Sequence, residues 1–271
     1  MARKGITAEN RNRLEILHRR HGGPFSVSEA AATLSIDRTK ARRLVAQFAS
    51  QGWLARIRRN AYRVVPLGAT APSEWREDPW LVAFHTFAPC YLGGWTACEH
   101  WALTEQLFRD VLVVTTHPVR HRDVEIQGTR YLVKVFHRDA LFGLRPVWRG
   151  QTQVQLSDPT RTLVDVLDDP WAGGGIRHVA DVVHIYFGGT MRDDRTLREY
   201  ATRLGNRTVF KRLGYLLEAL DIDSDELTAA CQEEMSRGVS PLDPSGPAGG
   251  RIVKRWNLRI NVEGIAPREM T

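Results

Sequence analysis

Apolar positions in the first 66 residues recur first at helical and then at alternating spacing. Over residues 11–21, Leu14, Leu17 and His18 make one apolar stripe on an otherwise charged stretch, as on a surface helix that Gly22-Gly23-Pro24 ends. Ser26-Val27-Ser28-Glu29 has the form of a capping box and starts a short helix through Ala30, Ala31 and Leu34. Ser35-Ile36 makes a turn, and Asp37 is placed to cap a further helix running to about Gln51, with Gly52 just beyond its end. At 100° per residue, Ala41, Leu44, Val45 and Phe48 share one face of that helix, while Thr39, Arg42, Arg43 and Ala46 centre on the other. Trp53–Ile57 and Tyr62–Val65 are β-prone runs around the polar turn Arg58-Arg59-Asn60-Ala61, which predicts a hairpin. Helix, turn, helix and basic hairpin in this order predict a winged helix-turn-helix over residues 1–66.

The stretch Pro66–Ser73 is rich in small residues and proline, so residues 67–78 read as a linker. Asp78-Pro79 supplies a cap and first helical residue for a helix carrying Trp80, Leu81, Phe84 and Phe87. Thr96-Ala97-Cys98-Glu99 reads as a second capping box, leading into a helix through Trp101 and Leu103. β-like runs follow at Val111–Thr116, Val124–Gln127 and Arg130–His137, the last two joined by a hairpin at Gly128-Thr129, and Thr152–Leu156 alternates. Ser157-Asp158-Pro159 starts another helix, which Asp168-Asp169-Pro170 stops. Helical patterns then cover Ile176–Phe187, Thr196–Leu204, Val209–Leu220 and Ser224–Met235, and Arg251–Asn261 reads as a closing strand. Strands followed by helices predict an α+β domain over 79–271, with a mixed or antiparallel sheet and a helical C-terminal half.

Charge divides along the same line. Residues 1–66 hold 14 Lys/Arg and 4 Asp/Glu, whereas the rest of the 271 residues hold 24 and 27. A basic block over a foldable pattern suits a phosphate backbone, since each neutralised phosphate releases condensed counterion. A recognition helix puts its N-terminal half into the major groove, and Arg38, Lys40, Arg42 and Arg43 sit in that half. Arg38, Thr39, Arg42 and Arg43 are therefore expected at base edges, where Arg pairs with guanine O6 and N7. Lys40, Arg56, Arg58, Arg59 and Arg63, with Asn60 at the hairpin turn, are expected along the backbone or in the minor groove.

Other chemistry is sparsely signalled. No glycine-rich phosphate loop, H-E-x-x-H or G-x-S-x-G occurs. Cys90, Cys98 and His100 lie close in sequence but lack the tight ligand pair of a zinc site, so no metal and no cofactor is expected. Three cysteines do not make a disulfide framework, and buried thiols are expected. Asp158 and Asp165 would stand ~10.5 Å apart along a helix, too far for one metal, and no third group joins Glu125 and Lys134. No catalytic residue is assigned. No apolar run approaches ~18 residues and no apolar leader follows Met1, so a cytoplasmic protein without membrane contact is expected.

Five segments of the longer part carry a resemblance: Tyr91–Ala97, Glu99–Gln106, Ser157–Asp165, Arg212–Glu218 and Arg255–Leu258. With the winged helix ahead of them, their order and spacing resemble the AbiEi-type antitoxins of type IV toxin–antitoxin systems. The resemblance implies an autorepressor that binds inverted repeats upstream of its own operon, often cooperatively. It also implies an antitoxin that opposes a nucleotidyltransferase-like toxin, without requiring a stable complex between the two. Two alternatives stay open from the residues: a repressor whose second domain senses a small molecule, and a DNA-processing enzyme.

Overall fold

The computed structural model describes residues 5–66, 68–69 and 74–265. Part of the expected linker, both chain ends and hence the outer limits of the expected domains lie outside these residues. The fold is α+β, with a winged helix leading, a mixed sheet in the middle and helices dominating the C-terminal half.

The leading unit runs α1 (Ala8–Arg20), α2 (Val27–Thr33), α3 (Arg38–Ser50), β1 (Leu54–Arg58) and β2 (Ala61–Val64). The expected caps operate: the Ser26 hydroxyl accepts from the Glu29 amide while the Glu29 carboxylate accepts from the Ser26 amide. Leu14, Leu17, Phe25, Ala30, Ala41, Val45 and Phe48 close one small core. Each large side chain removed from water there contributes roughly 1.5–3 kcal/mol. Phe25 bridges Tyr62, adding a one-residue third strand to the hairpin.

The longer part begins with α4 (Pro79–Phe87), β3 (Cys90–Leu92), α5 (Gly94–His100), β4 (Val111–Thr115), β5 (Asp123–Ile126), β6 (Thr129–Val135), β7 (Leu144–Arg149) and β8 (Thr152–Ser157). Its sheet has the order β5-β6-β4-β3-β8-β7. The β4–β6 and β3–β8 pairs are parallel and the others antiparallel. The chain continues with α6 (Pro159–Asp168), α7 (Ile176–Gly188), α8 (Asp194–Leu204), α9 (Thr208–Ala219), α10 (Asp225–Glu234), β9 (Ser240–Pro241), β10 (Arg251–Val253) and β11 (Leu258–Ile260). α6 is buried from Pro159 to Leu167, and α7, α8 and α9 pack around it, while α10 packs on α8 and α9. Among the described residues no helix is long and apolar enough to cross a membrane.

Four expectations need correction. α5 starts at Gly94 rather than after Thr96, because the Thr96 hydroxyl is taken by the Leu112 amide of β4 and the Glu99 carboxylate by the Phe108 amide. Ala102, at φ 53°, stands just beyond that helix, so Leu103 lies outside it. The closing strand is two strands, β10 and β11, folded back on each other around Asn257 at φ 47°. Three strands, β3, β7 and the two-residue β9, left too little pattern to be read. β3 has only three residues, and β7 holds Pro146, which a strand tolerates at a sheet edge, where β7 lies.

The leading unit is docked on the longer part. Ala55, Ile57 and Ala61 of the hairpin share a cluster with Val82 and Phe87 of α4 and Val113 and Tyr131 of the sheet. Arg63 Nε lies 2.6 Å from the Glu77 carboxylate, with side chains only 14% and 6% exposed. Glu77 in turn donates its amide to Gln127 at the β5–β6 turn.

Candidate nucleic-acid interface

α3 is built to present one face. The Asp37 carboxylate accepts from the Thr39 and Lys40 amides at 2.9 Å, which fixes the first turn and holds that carboxyl below its usual range, the Lys40 amide contributing most. Ala41, Leu44, Val45 and Phe48 are buried inward. Arg38, Thr39, Lys40, Arg42, Arg43, Ala46 and Gln47 are exposed. Lys40 sits 3.6 Å from Asp37, but no ion pair engages Arg38, Arg42 or Arg43 among the described residues. Gln47, one turn beyond Arg43, belongs to the same face, and its i+4 spacing from Arg43 is the signal in the sequence that marks it.

On the hairpin, Arg56, Arg58 and Arg59 are exposed. Arg56 Nε donates to the Arg58 carbonyl, which turns that guanidinium back along the strand. Asn60 takes the left-handed conformation at φ 60° that the tight turn needs, and its Oδ1 accepts from the Val27 amide. Its side chain is thereby committed to joining the hairpin to α2. Arg63 stands apart from the rest. It pairs with Glu77 and donates through Nη1 to the His21 and Gly23 carbonyls, so its guanidinium is spent inside the molecule. The structure thus leaves eight of the ten residues with side chains open to solvent and uncommitted to internal structure beyond the Asp37 and Arg58 contacts, and holds Asn60 and Arg63 in structural bonds.

The chemistry-bearing groups of the longer part are mostly occupied. Tyr91 donates to Asp165 at 3.0 Å, and Arg161 donates to Asp165 at 2.8 Å and to the Tyr91 hydroxyl at 3.2 Å, all three side chains being buried. Asp158 caps α6 through the Arg161 amide. Lys134 pairs with Asp168 at 2.9 Å and Asp169 at 3.1 Å rather than with Glu125; burial would lower this ammonium's pKa, but the two carboxylates raise it. Gly214 leaves room for the Trp256 ring, whose Nε1 donates to Glu218 at 2.6 Å, while Arg255 pairs with the same carboxylate at 2.8 Å. The segments that carried the resemblance therefore lock onto one another. All three cysteines are free and buried, and burial pushes the Cys90 thiol up to about 12. Among the described residues, no three His, Cys, Asp or Glu side chains are grouped so as to hold a metal ion.

No curated protein matches the chain. A crystal structure described as the RV2827C protein from Mycobacterium tuberculosis shares the fold, at a TM-score of 0.58 and 16% identity over 94% of this chain and 92% of that one. The resemblance read from the sequence is borne out over the leading unit: residues 12–65 match the family described as transcriptional regulator, AbiEi antitoxin.

Proposed function

We propose that the chain is a sequence-specific DNA-binding autorepressor and the antitoxin of a type IV pair, opposing a nucleotidyltransferase-like toxin encoded beside it. Residues 1–66 read the DNA, residues 67–78 connect, and residues 79–271 carry the antitoxin role. The observation that carries this reading is the exposed outer face of α3, whose Arg38, Arg42 and Arg43 have no ion pair among the described residues. The family match over residues 12–65 supports it. Arg38, Thr39, Arg42 and Arg43 approach base edges, and Lys40, Arg56, Arg58 and Arg59 approach phosphates or the minor groove. Arg63 has no part in this assignment, because leaving Glu77 unpaired and buried costs more than a surface phosphate contact returns. The operator is an inverted repeat ahead of the chain's own gene.

Gel shifts on that upstream DNA test the reading. Arg42→Ala and Arg43→Ala should each cost ~1–3 kcal/mol if they contact bases, or roughly 10- to 100-fold in Kd. Unchanged affinity in the double variant would remove the recognition-helix assignment. Co-expression with the neighbouring gene tests the antitoxin role, growth rescue being the expected result.

One observation favours a second reading, a repressor that senses a small molecule. Trp95, Phe108 and Trp171 line an open cavity of about 560 Å³ beside Arg109 and Asp110. Loss of operator binding on adding a metabolite extract would support it.

A further inference from the structure

In the loop between β4 and β5, two arginines stand close together without an ion pair among the described residues. His117, Arg120, His121 and Arg122 are all exposed, with no acidic residue between Thr116 and Arg122. The next residue, Asp123, is already taken by Arg130 at 2.5 Å. Among the described residues neither Arg120 nor Arg122 has an ion pair, whereas exposed Arg19 and Arg192 do.

The loop is pinned along its length. Thr115 donates its hydroxyl to the Phe87 and Pro89 carbonyls at 2.8 and 3.0 Å and accepts the His117 amide at 3.1 Å. Val119 packs into the cluster beneath, and the Arg122 carbonyl accepts the Val133 amide at 2.8 Å.

That cluster also receives Ala55, Ile57 and Ala61 of the hairpin, so loop and hairpin lie over the same face of the sheet. α4 connects them. Its end, at Phe87–Pro89, is where the loop springs from Thr115. One half-turn earlier stands His85, which lines a cleft with Glu29 of α2 and Thr152 of β8.

We propose that Arg120 and Arg122 form a second duplex-contacting surface, on which the sugar-phosphate backbone continues past the hairpin onto the sheet. The proposal rests on the DNA-binding reading above and extends the footprint beyond the winged helix. The contacts are to phosphate, so they add affinity and register without reading sequence.

The test is a salt titration of the full chain on a 30-base-pair duplex of random sequence, read by fluorescence anisotropy. Arg120→Ala/Arg122→Ala should flatten the dependence of log K on log[NaCl] by about 2, at ~0.9 per lost phosphate contact. Arg120→Lys/Arg122→Lys should keep the wild-type slope, since phosphate contact needs only the charge. Thermal midpoints of both variants should match the parent. An unchanged slope in the alanine variant, with Arg42→Ala/Arg43→Ala still weakening binding, overturns this surface and leaves the winged-helix reading standing. A parent chain that binds no duplex at low salt overturns both.

Discussion

At the scale of single residues, Arg63 and Glu77 show how context decides what a cation does. One strand away, Arg58 points to solvent; Arg63 is nearly enclosed. The hairpin register explains the difference, since Arg63 pairs opposite Ala55, and cross-strand partners share a face. Ala55 faces the sheet below, so Arg63 must as well. Breaking a buried pair from one side typically costs 3–5 kcal/mol. Glu77→Gln should therefore lower stability by about 3 kcal/mol, read as a reduced urea midpoint, and Arg63→Met/Glu77→Leu should recover only part of it, because the His21 carbonyl also loses its donor. A single variant as stable as the parent would show that the pair holds nothing. Composition alone puts Arg56, Arg58, Arg59 and Arg63 on one footing. Only the register, set by a bulge between Arg56 and Arg58, separates them. Asn60 was legible as a turn residue, but its bond to the Val27 amide joins positions 33 apart and has no local signature.

At the scale of elements, helix starts were legible wherever a short polar side chain stands alone before an apolar run. Ser26, Asp37, Asp78 and Asp158 all cap as their spacing predicts. The failure at α5 has the same physics: Thr96 has capping chemistry, but a strand from elsewhere claims its hydroxyl first. A glycine turn made the β5–β6 pair legible, but Gly150 did not do the same for β7 and β8, because Pro146 breaks the strand pattern of β7. β5 and β6 turn through Gln127 and Gly128, both at positive φ. β3, held between two distant strands, left too short a trace. Asp158 accepts from the Arg161 amide and the Tyr200 hydroxyl, so Asp158→Ala should cost ~1–2 kcal/mol. Gly214→Ala should cost at least ~1–3 kcal/mol, because a methyl group there meets the Trp256 ring inside the core. Calorimetry on each variant checks both values. A melt of Gly214→Ala at the parent's temperature would mean that the ring moves aside at no cost.

At the scale of the whole molecule, the seam between the leading unit and the longer part is ionisable. His21 and His85 line a cleft of about 420 Å³ with Glu29 and Thr152, and burial is the main force holding both imidazoles below their ordinary range. The unfolded chain takes up protons below about pH 6.5, while the folded chain resists until lower pH. Stability is therefore full above pH 6.5 and declines as pH falls through the window beneath it. His21→Asn/His85→Asn should flatten that decline in urea midpoints measured between pH 7 and pH 5. Only a residual slope should remain, because burial also lowers His100. Equal slopes in parent and variant would place the sensitivity elsewhere.

The docked hairpin also bears on how this protein is divided in the laboratory. A gene fragment stopped at Pro66 would look self-contained, since its three helices keep their own apolar nucleus. It would nevertheless carry Ile57 and Ala61 bare and a guanidinium stripped of its carboxylate. Such a fragment should self-associate during purification, and its oligomers would be artefacts of the cut rather than a property of the full chain.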